Sequence, residues 1–295
     1  MTARPKRTEG CPVLVGVGAP SSLAIEPVRS ASSRFSGVTA AWQGGDASKE
    51  AYEVLAPSYD AFTLGFGYQY ETWTATLLAK AEEEGLQGNR MLDVACGTGF
   101  SFIPLLDRGW QVTGCDVSAA MIEAARAKVG DRAELVVADM RELPVLGEFD
   151  LIWAINTPLV YLLDSQELEA TLAGMRRNLA PDGLVLFDAI TMKTARTFFS
   201  ERFEVEREGK RFTWTGKLAA ADVVPGTVGG GRLEEAGKPD LAQAHAMRHF
   251  SETEFRTAIA AAGLRCEQVF GEKDGQLDPE LDEDDHSVSV YLCRL

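Results

Sequence analysis

Hydrophobic and polar residues fall into regular periods from Ala51 onward, after a stretch that has none. Residues 1–46 mix Ser, Ala, Gly and Pro without a sustained repeat, which predicts a flexible leader. Residues 51–63 and 70–84 carry a helical period, the second placing Trp73, Leu77, Leu78 and Ala81 on one face, and Gly85 and Gly88 end it. Short apolar runs at 91–95, 111–115, 133–138, 149–154 and 184–188 then read as strands, with helices between them. The helix ends are legible. Ser118 caps residues 119–129 and Gly130 stops them, and Asp164 with Glu167 forms an acidic capping box before Leu168, Leu172 and Met175. Ala180-Pro-Asp-Gly183 reads as the turn into the next strand.

Strand and helix alternating through short joins predict an α/β architecture with a parallel sheet covered on both faces. Beyond Asp188 the alternation breaks. Residues 203–208 and 211–217 read as a hairpin about Gly209, residues 243–250 as a third strand, and the Gly-rich segment 225–239 as a mobile connection. Ser251 and Glu254 box the start of a helix ending at Gly263, and strands at 264–270 and 287–292 close the pattern. The expected fold is a seven-stranded, mostly parallel, doubly wound sheet with one antiparallel strand. Its parts are a leader (1–46), N-terminal helices with a ligand-binding core (47–199), a β-strand lid insert (200–250) and the completion of the sheet (251–295).

Charge narrows the partners. The 295 residues include 29 basic and 44 acidic side chains, a net charge of −15, which disfavours nucleic acid and anionic membrane surfaces. Residues 267–285 hold nine carboxylates and one lysine, and read as a solvated loop whose field could draw a cationic substrate. The five cysteines are widely spaced and never paired as C-x-x-C, which argues against a disulfide framework or zinc site and for a reducing, cytoplasmic location.

The chemistry concentrates in Met91-Leu-Asp-Val-Ala-Cys-Gly-Thr-Gly-Phe100, an apolar strand ending in a glycine turn that runs on into a helix. A dinucleotide fingerprint would need a third glycine where Phe102 stands, and a P-loop would need Gly-Lys-Ser/Thr; neither is met. Asp93, inside the strand, would repel pyrophosphate but accept from an ammonium group. Asp116 ends the second strand, where an acid can hold both ribose hydroxyls. Asp139 ends the third, placed to accept from an adenine amino group, with Met121 and Met140 as apolar surfaces for the ring. The implied ligand has an amino-acid end, a ribose and an adenine, and no phosphate.

These residues resemble the class I S-adenosylmethionine-dependent methyltransferases, a family with a Rossmann-like core. The likeness rests on five motifs in order: Leu92-Asp-Val-Ala-Cys-Gly-Thr-Gly99, Val112-Thr-Gly-Cys-Asp-Val-Ser118, Val137-Ala-Asp-Met-Arg-Glu-Leu-Pro144, Phe149-Asp-Leu-Ile-Trp-Ala154 and Leu179-Ala-Pro-Asp-Gly-Leu184. Tyr52-Glu-Val-Leu-Ala-Pro-Ser-Tyr-Asp60 looks like the family's cofactor-covering segment. The resemblance implies S-adenosyl-L-methionine as cofactor, with Gly97 and Gly99 along its methionine moiety and Asp93 at the ammonium. It also puts Asp116 on the ribose, Asp139 and Met140 about the adenine, Ala154 near the sulfonium and Tyr59 over the ligand. Ala95, Thr98, Val117 and Met121 belong to the same expected set.

The acceptor is less sharply written. Ile155-Asn-Thr-Pro-Leu-Val-Tyr161 borders the reacting methyl and is not the Asn/Asp-Pro-Pro-Tyr/Phe box that resembles nucleic-acid and protein amide methylators. A small-molecule amine or hydroxyl is therefore expected ahead of tRNA or protein, and ahead of a noncatalytic regulator, which would tend to lose Asp93, Gly97 or Asp116. A metal is not expected, since Asn156 and Asp188 have no evident third carboxylate. Tyr161 and His249 are the candidate bases, His245 and His249 being four apart on one expected strand face. Phe203, Phe212, Trp214 and Phe250 suit either a lid over an apolar substrate or a homodimer contact.

Overall fold

The computed structural model describes residues 46–295, so the leader expected over residues 1–46 lies outside them but for its last residue. Two helices come first, α1 (Asp46–Gly65) and α2 (Tyr70–Glu83), the latter burying the Trp73, Leu77, Leu78 and Ala81 face. The strands β1 (Arg90–Val94), β2 (Gln111–Asp116), β3 (Ala133–Val137), β4 (Phe149–Ala154) and β5 (Leu179–Ile190) follow. Among them lie α3 (Ile103–Leu106), α4 (Ala119–Val129) and α5 (Ser165–Arg177). Next, α6 (Met192–Ser200) leads into β6 (Arg202–Arg207), β7 (Lys210–Gly216), β8 (Val228–Glu235) and β9 (Lys238–Arg248). The chain closes with α7 (Glu252–Ala261), β10 (Arg265–Lys273), β11 (Gln276–Asp278) and β12 (Val288–Arg294).

The main sheet runs β11-β10-β12-β5-β4-β1-β2-β3. β1 to β5 pair in parallel, and β12 is antiparallel to both β5 and β10, which gives the seven expected strands with one reversed. The three-residue β11 adds an eighth at the edge. Near-continuous apolar runs make this geometry stable because both faces are covered. Leu92 and Ile152 enter one core, while Met91, Leu151 and Trp153 enter the other. Parallel order also brings the turns after β1 to β4 to one edge, the place where open α/β sheets bind ligands.

Several local expectations change. Ala180–Gly183 belongs to β5 as an irregular excursion, with register moving from Phe149↔Leu179 to Leu151↔Leu184. The segment 225–239 is not merely a connection: it holds β8, the third of four antiparallel strands in the order β6-β7-β8-β9. Its glycines serve packing. A Cβ on Gly229 would strike Phe199 at 2.6 Å, one on Gly230 the His245 carbonyl at 2.0 Å, and one on Gly231 the Trp214 ring at 2.5 Å. Composition alone hides a strand built around close approach.

Phe203, Phe212, Trp214 and Phe250 are all buried within the chain, so they are not a surface for a second copy. The acidic stretch is likewise more than a solvated loop. Glu283 accepts from the Met192 N–H (2.8 Å) at the start of α6, and His286 is buried between Asp278 (3.0 Å) and the Asp282 N–H (2.8 Å). Acids are favoured at such helix starts, and here they fasten the stretch to the lid's root. Among the described residues no helix is long and apolar enough to cross a membrane.

Candidate active site

The turn after β1 sets the floor. Ala95 (φ 60°), Gly97 (φ 53°) and Gly99 (φ 86°) all take left-handed backbone, which folds the chain back tightly. For Ala95 this costs on the order of 1–2 kcal/mol, a strain glycine would not carry. A Cβ on Gly97 would stand 3.5 Å from the Tyr59 ring, inside the space between turn and cover. Gly99 does not reach that space; it leaves room for Phe102, whose ring a Cβ there would meet at 2.8 Å. Phe102 is fully buried, and the chain turns about it before the four-residue α3, so no long helix starts directly at the glycines.

A cavity of about 790 Å³, open solvent at its mouth included, lies against this turn. Tyr59, Ala95, Gly97, Asp116, Val117 and Met121 line one side, and Asp139 and Met140 the other. Asp116 accepts from the Gly97 N–H (2.9 Å) and the Ser118 N–H (2.9 Å), so β2's last residue fixes the glycine turn and the start of α4 together. Burial pushes its carboxyl up to about 6 despite those bonds. Asp139 caps a short turn and is gripped by Arg141 (2.5 Å); burial opposes, but Arg141's hydrogen bonds hold its carboxyl below the usual range.

Besides Gly99, three expected residues, Asp93, Thr98 and Ala154, do not line this cavity. Asp93 is 1% exposed and lies behind Ser101, whose hydroxyl donates to it; burial raises its carboxyl to about 7. Ser101 and Thr98 line a smaller recess beside the main cavity, and Asp93 lies behind that wall. Ala154 is fully buried, and Ile155 takes its place on the cavity surface. The side chain after a strand end alternates to the other face, which moves the contact by one residue.

The donor set suits a phosphate-free nucleoside. Among the described residues two carboxylates line the cavity, and its one lining cation, Arg141, is already held by Asp139 and by Glu167 (3.2 Å). Hydroxyl and amino donors find acceptors there. Met121, Met140, Val117 and Leu162 supply apolar walls for a base.

Sequence reasoning passed over Asn156 as a site residue. Asn156 (φ 71°) and Thr157 (φ 56°) form a left-handed turn after β4, and the fully buried Asp188 holds both amides at 3.1 and 2.6 Å. Trp73 donates to the same carboxylate (3.3 Å), and burial raises it to about 6. Asp188 is thus committed to shaping the turn. The Asn156 amide then donates to the hydroxyls of Tyr59 (3.1 Å) and Tyr70 (3.3 Å). Two consecutive left-handed residues with no glycine give no motif to read in advance.

α1 covers the site through three ties. Glu53 accepts from the Ala119 N–H (2.6 Å) and the Ala120 N–H (3.1 Å) at the start of α4, Asp60 bonds Thr98 (2.6 Å) and Lys128 (2.6 Å), and Tyr59 meets Asn156. Beneath α1 a second cavity of about 660 Å³, again counting open solvent, shares Tyr52, Tyr59, Asn156 and Tyr161 with the first. At this junction the Tyr52 hydroxyl bonds that of Tyr161 (2.7 Å), which bonds His245 Nδ1 (3.2 Å). His245 is buried and neutral, desolvation lowering it to about 4, and its Nε2 has no partner among the described residues.

His249 does not join this group. β9 ends at Arg248, so the two histidines do not share a strand face as expected. His249 instead meets Glu283 (3.1 Å) and receives a long bond from the Gly226 N–H (3.4 Å), tying the lid's root to the acidic stretch. The histidine beside Tyr161 is His245, which the antiparallel register places opposite Gly231.

Known proteins match this arrangement. The family described as "Methyltransferase domain" matches residues 91–183. Proteins of Bacillus subtilis (strain 168) and Geobacillus sp. (strain WCH70), named as methyltransferases without a stated acceptor, are 34% and 33% identical. The matches cover 55% and 56% of this chain and about two thirds of each relative, 65% and 68%. The dTDP-3-amino-3,4,6-trideoxy-alpha-D-glucopyranose N,N-dimethyltransferase of Streptomyces venezuelae is 27% identical over 76% of this chain and 96% of its own. An S-adenosylmethionine-dependent methyltransferase of Clostridium acetobutylicum ATCC 824 shares the fold, with a TM-score of 0.66, 18% identity, and coverage of 77% and 92%. The chain belongs to the class I S-adenosylmethionine-dependent methyltransferases.

Proposed function

We propose that this protein methylates an amine or hydroxyl of a small molecule, using S-adenosylmethionine held in the first cavity. The observation that carries this is the junction: a cavity with acids at the ends of β2 and β3 opens beside a second, aromatic-lined cavity at Tyr59, Asn156 and Tyr161. The two together fit a donor and an acceptor meeting end to end. Several relatives, among them the Streptomyces venezuelae enzyme, bear names of sugar N-methyltransferases, which supports a metabolite of secondary metabolism as acceptor.

In this reading Asp116 accepts from the ribose hydroxyls, and Asp139 with Met140 and Met121 frames the adenine. Gly97 and Ala95 pass along the methionine portion, Asp93 with Ser101 and Thr98 stands near its ammonium, and Tyr59 closes over the top. Bound there, S-adenosylmethionine supplies an electrophilic methyl group on a sulfonium. The protein aligns the acceptor, excludes water beneath α1 and receives the acceptor's proton. Tyr161 takes that proton while its own passes to His245 Nδ1, the role expected of His249 falling to His245.

Calorimetry with S-adenosylmethionine tests the reading. Wild type is expected to bind one equivalent, and Asp116→Ala to weaken binding about 30- to 100-fold, about 2–2.7 kcal/mol and within the ~1.5–3 kcal/mol of one charge-assisted hydrogen bond. Labelled-methyl transfer into a metabolite extract, with RNA and protein pools beside it, separates the acceptor classes. Label entering only macromolecules overturns the proposal.

A further inference from the structure

The second cavity also limits what the acceptor can be, an inference that rests on the methyltransferase reading above. Its walls come from α1, from the Asn156 turn and from the lid, and among the described residues lining it there is no Asp, Glu, Lys, Arg or His. Phe62, Phe66, Tyr68 and Phe198 furnish the aromatic body, with Ile190 and Met247 filling between. Phe62 and Phe66 meet edge to face at 5.0 Å, and Phe66 and Phe198 lie tilted at 6.0 Å, leaving a lining of ring faces and edges. The nearest acid, Asp188, is turned away. Both of its oxygens are taken by the Asn156 and Thr157 amides and by Trp73.

The polar groups of the lining are all uncharged, Thr63, Thr157 and the Tyr68 hydroxyl among them, the last without a partner among the described residues. The hydroxyls of Tyr59 and Tyr161 and the Asn156 amide stand where the two cavities touch. A charged acceptor would surrender its hydration on entering and find no counter-charge. Aromatic faces attract a cation, but by less than that loss, and a sulfonium in the adjoining cavity would repel it. A diphosphate fares worse, since among the described residues the only cation lining either cavity, Arg141, is already paired twice.

We propose that this chamber takes an uncharged, ring-bearing acceptor whose reacting amine or hydroxyl points to the Tyr59, Asn156 and Tyr161 end, and not a nucleotide-linked sugar. The neutral form is also the nucleophilic form of an amine, so the chamber selects the species that can react. Its aromatic lining suits a flat, ring-bearing ligand.

The test uses the full chain saturated with S-adenosylhomocysteine, so that the first cavity is filled. N-phenyl-1-naphthylamine, an uncharged aromatic amine that fluoresces in apolar surroundings, is titrated in, with thymidine 5′-diphosphate as competitor. The expected result is saturable one-site binding, weakened at least tenfold in Phe66→Ala and in Phe198→Ala, and unaffected by millimolar diphosphate. Near-ultraviolet circular dichroism checks that each variant is folded. Absence of saturable binding, insensitivity to both substitutions, or displacement by the diphosphate overturns the proposal. Wild type that binds the naphthylamine but not S-adenosylmethionine removes the methyltransferase reading instead, and the acceptor role with it.

Discussion

Asp116 illustrates how one carboxylate is set for its task. Burial raises it, two backbone amides lower it, and the balance leaves it at about 6; Asp93, more deeply enclosed, stands at about 7. A cationic ligand favours the ionised form of both. The affinity for S-adenosylmethionine is therefore expected to rise as pH climbs from 5 through 7, where the free carboxyls lose their protons, and to level off above. Calorimetry in buffers of different ionisation enthalpy would register proton release at pH 6 and little at pH 8.5. The paired histidines give a second expectation. His245→Gln should lower the rate of methyl transfer by roughly 10²-fold, the usual worth of a positioned base, with the S-adenosylmethionine Kd unchanged. His249→Gln should leave the rate within about twofold, because its partners are Glu283 and the Gly226 amide. Single-turnover rates distinguish them: only the first substitution slows methyl transfer.

α1 is the element on which the site depends most. Its Leu55, Ala61 and Phe62 pack with Phe212 and Met247 of the lid, so the helix is held from above. From below it is held by polar ties, chief among them Glu53 at the start of α4. A carboxylate there meets two unpaired amides and the positive end of the helix, worth ~1 kcal/mol. Glu53→Gln is expected to keep the fold and raise the S-adenosylmethionine dissociation rate several-fold, measured by stopped-flow displacement. An unchanged rate would mean that the helix does not gate release. β8 shows the opposite dependence, on the absence of side chains. Gly229, Gly230 and Gly231 admit Phe199, the His245 carbonyl and Trp214 into space any Cβ would fill, which fixes His245 beside Tyr161.

Across the whole molecule the polar and apolar roles are separated. Acids face the first cavity, aromatic rings face the second, and α1 lies over both. The acidic stretch 267–285, which carries half of the net charge of −15, does not border either cavity; it straps β10, β12 and α6 together through Glu283 and His286. Its carboxylates meet local partners, Lys273 and Arg196 among them at 2.5 Å, so an acceptor has little to gain from approaching along that edge. Under the proposal above the acceptor is uncharged, and the field of this stretch has no part in guiding it.

The sequence by itself determined the doubly wound core, the single reversed strand and the place where an antiparallel insert interrupts the alternation. Apolar runs long enough for buried strands, capped helices and glycine stops are local features, readable without neighbours. It also marked Asp116, Gly97 and Asp139, since parallel order brings strand ends to one edge whatever the details of packing. What it could not supply was anything set by contact between distant segments. The strand inside 228–235 looks like a loop until Trp214 and Phe199 press against its glycines. The withdrawal of Asp93 behind Ser101, the left-handed turn at Asn156, and the choice of His245 over His249 depend likewise on register and burial. A period tells which way a side chain faces within its own element; only the tertiary structure decides what stands opposite.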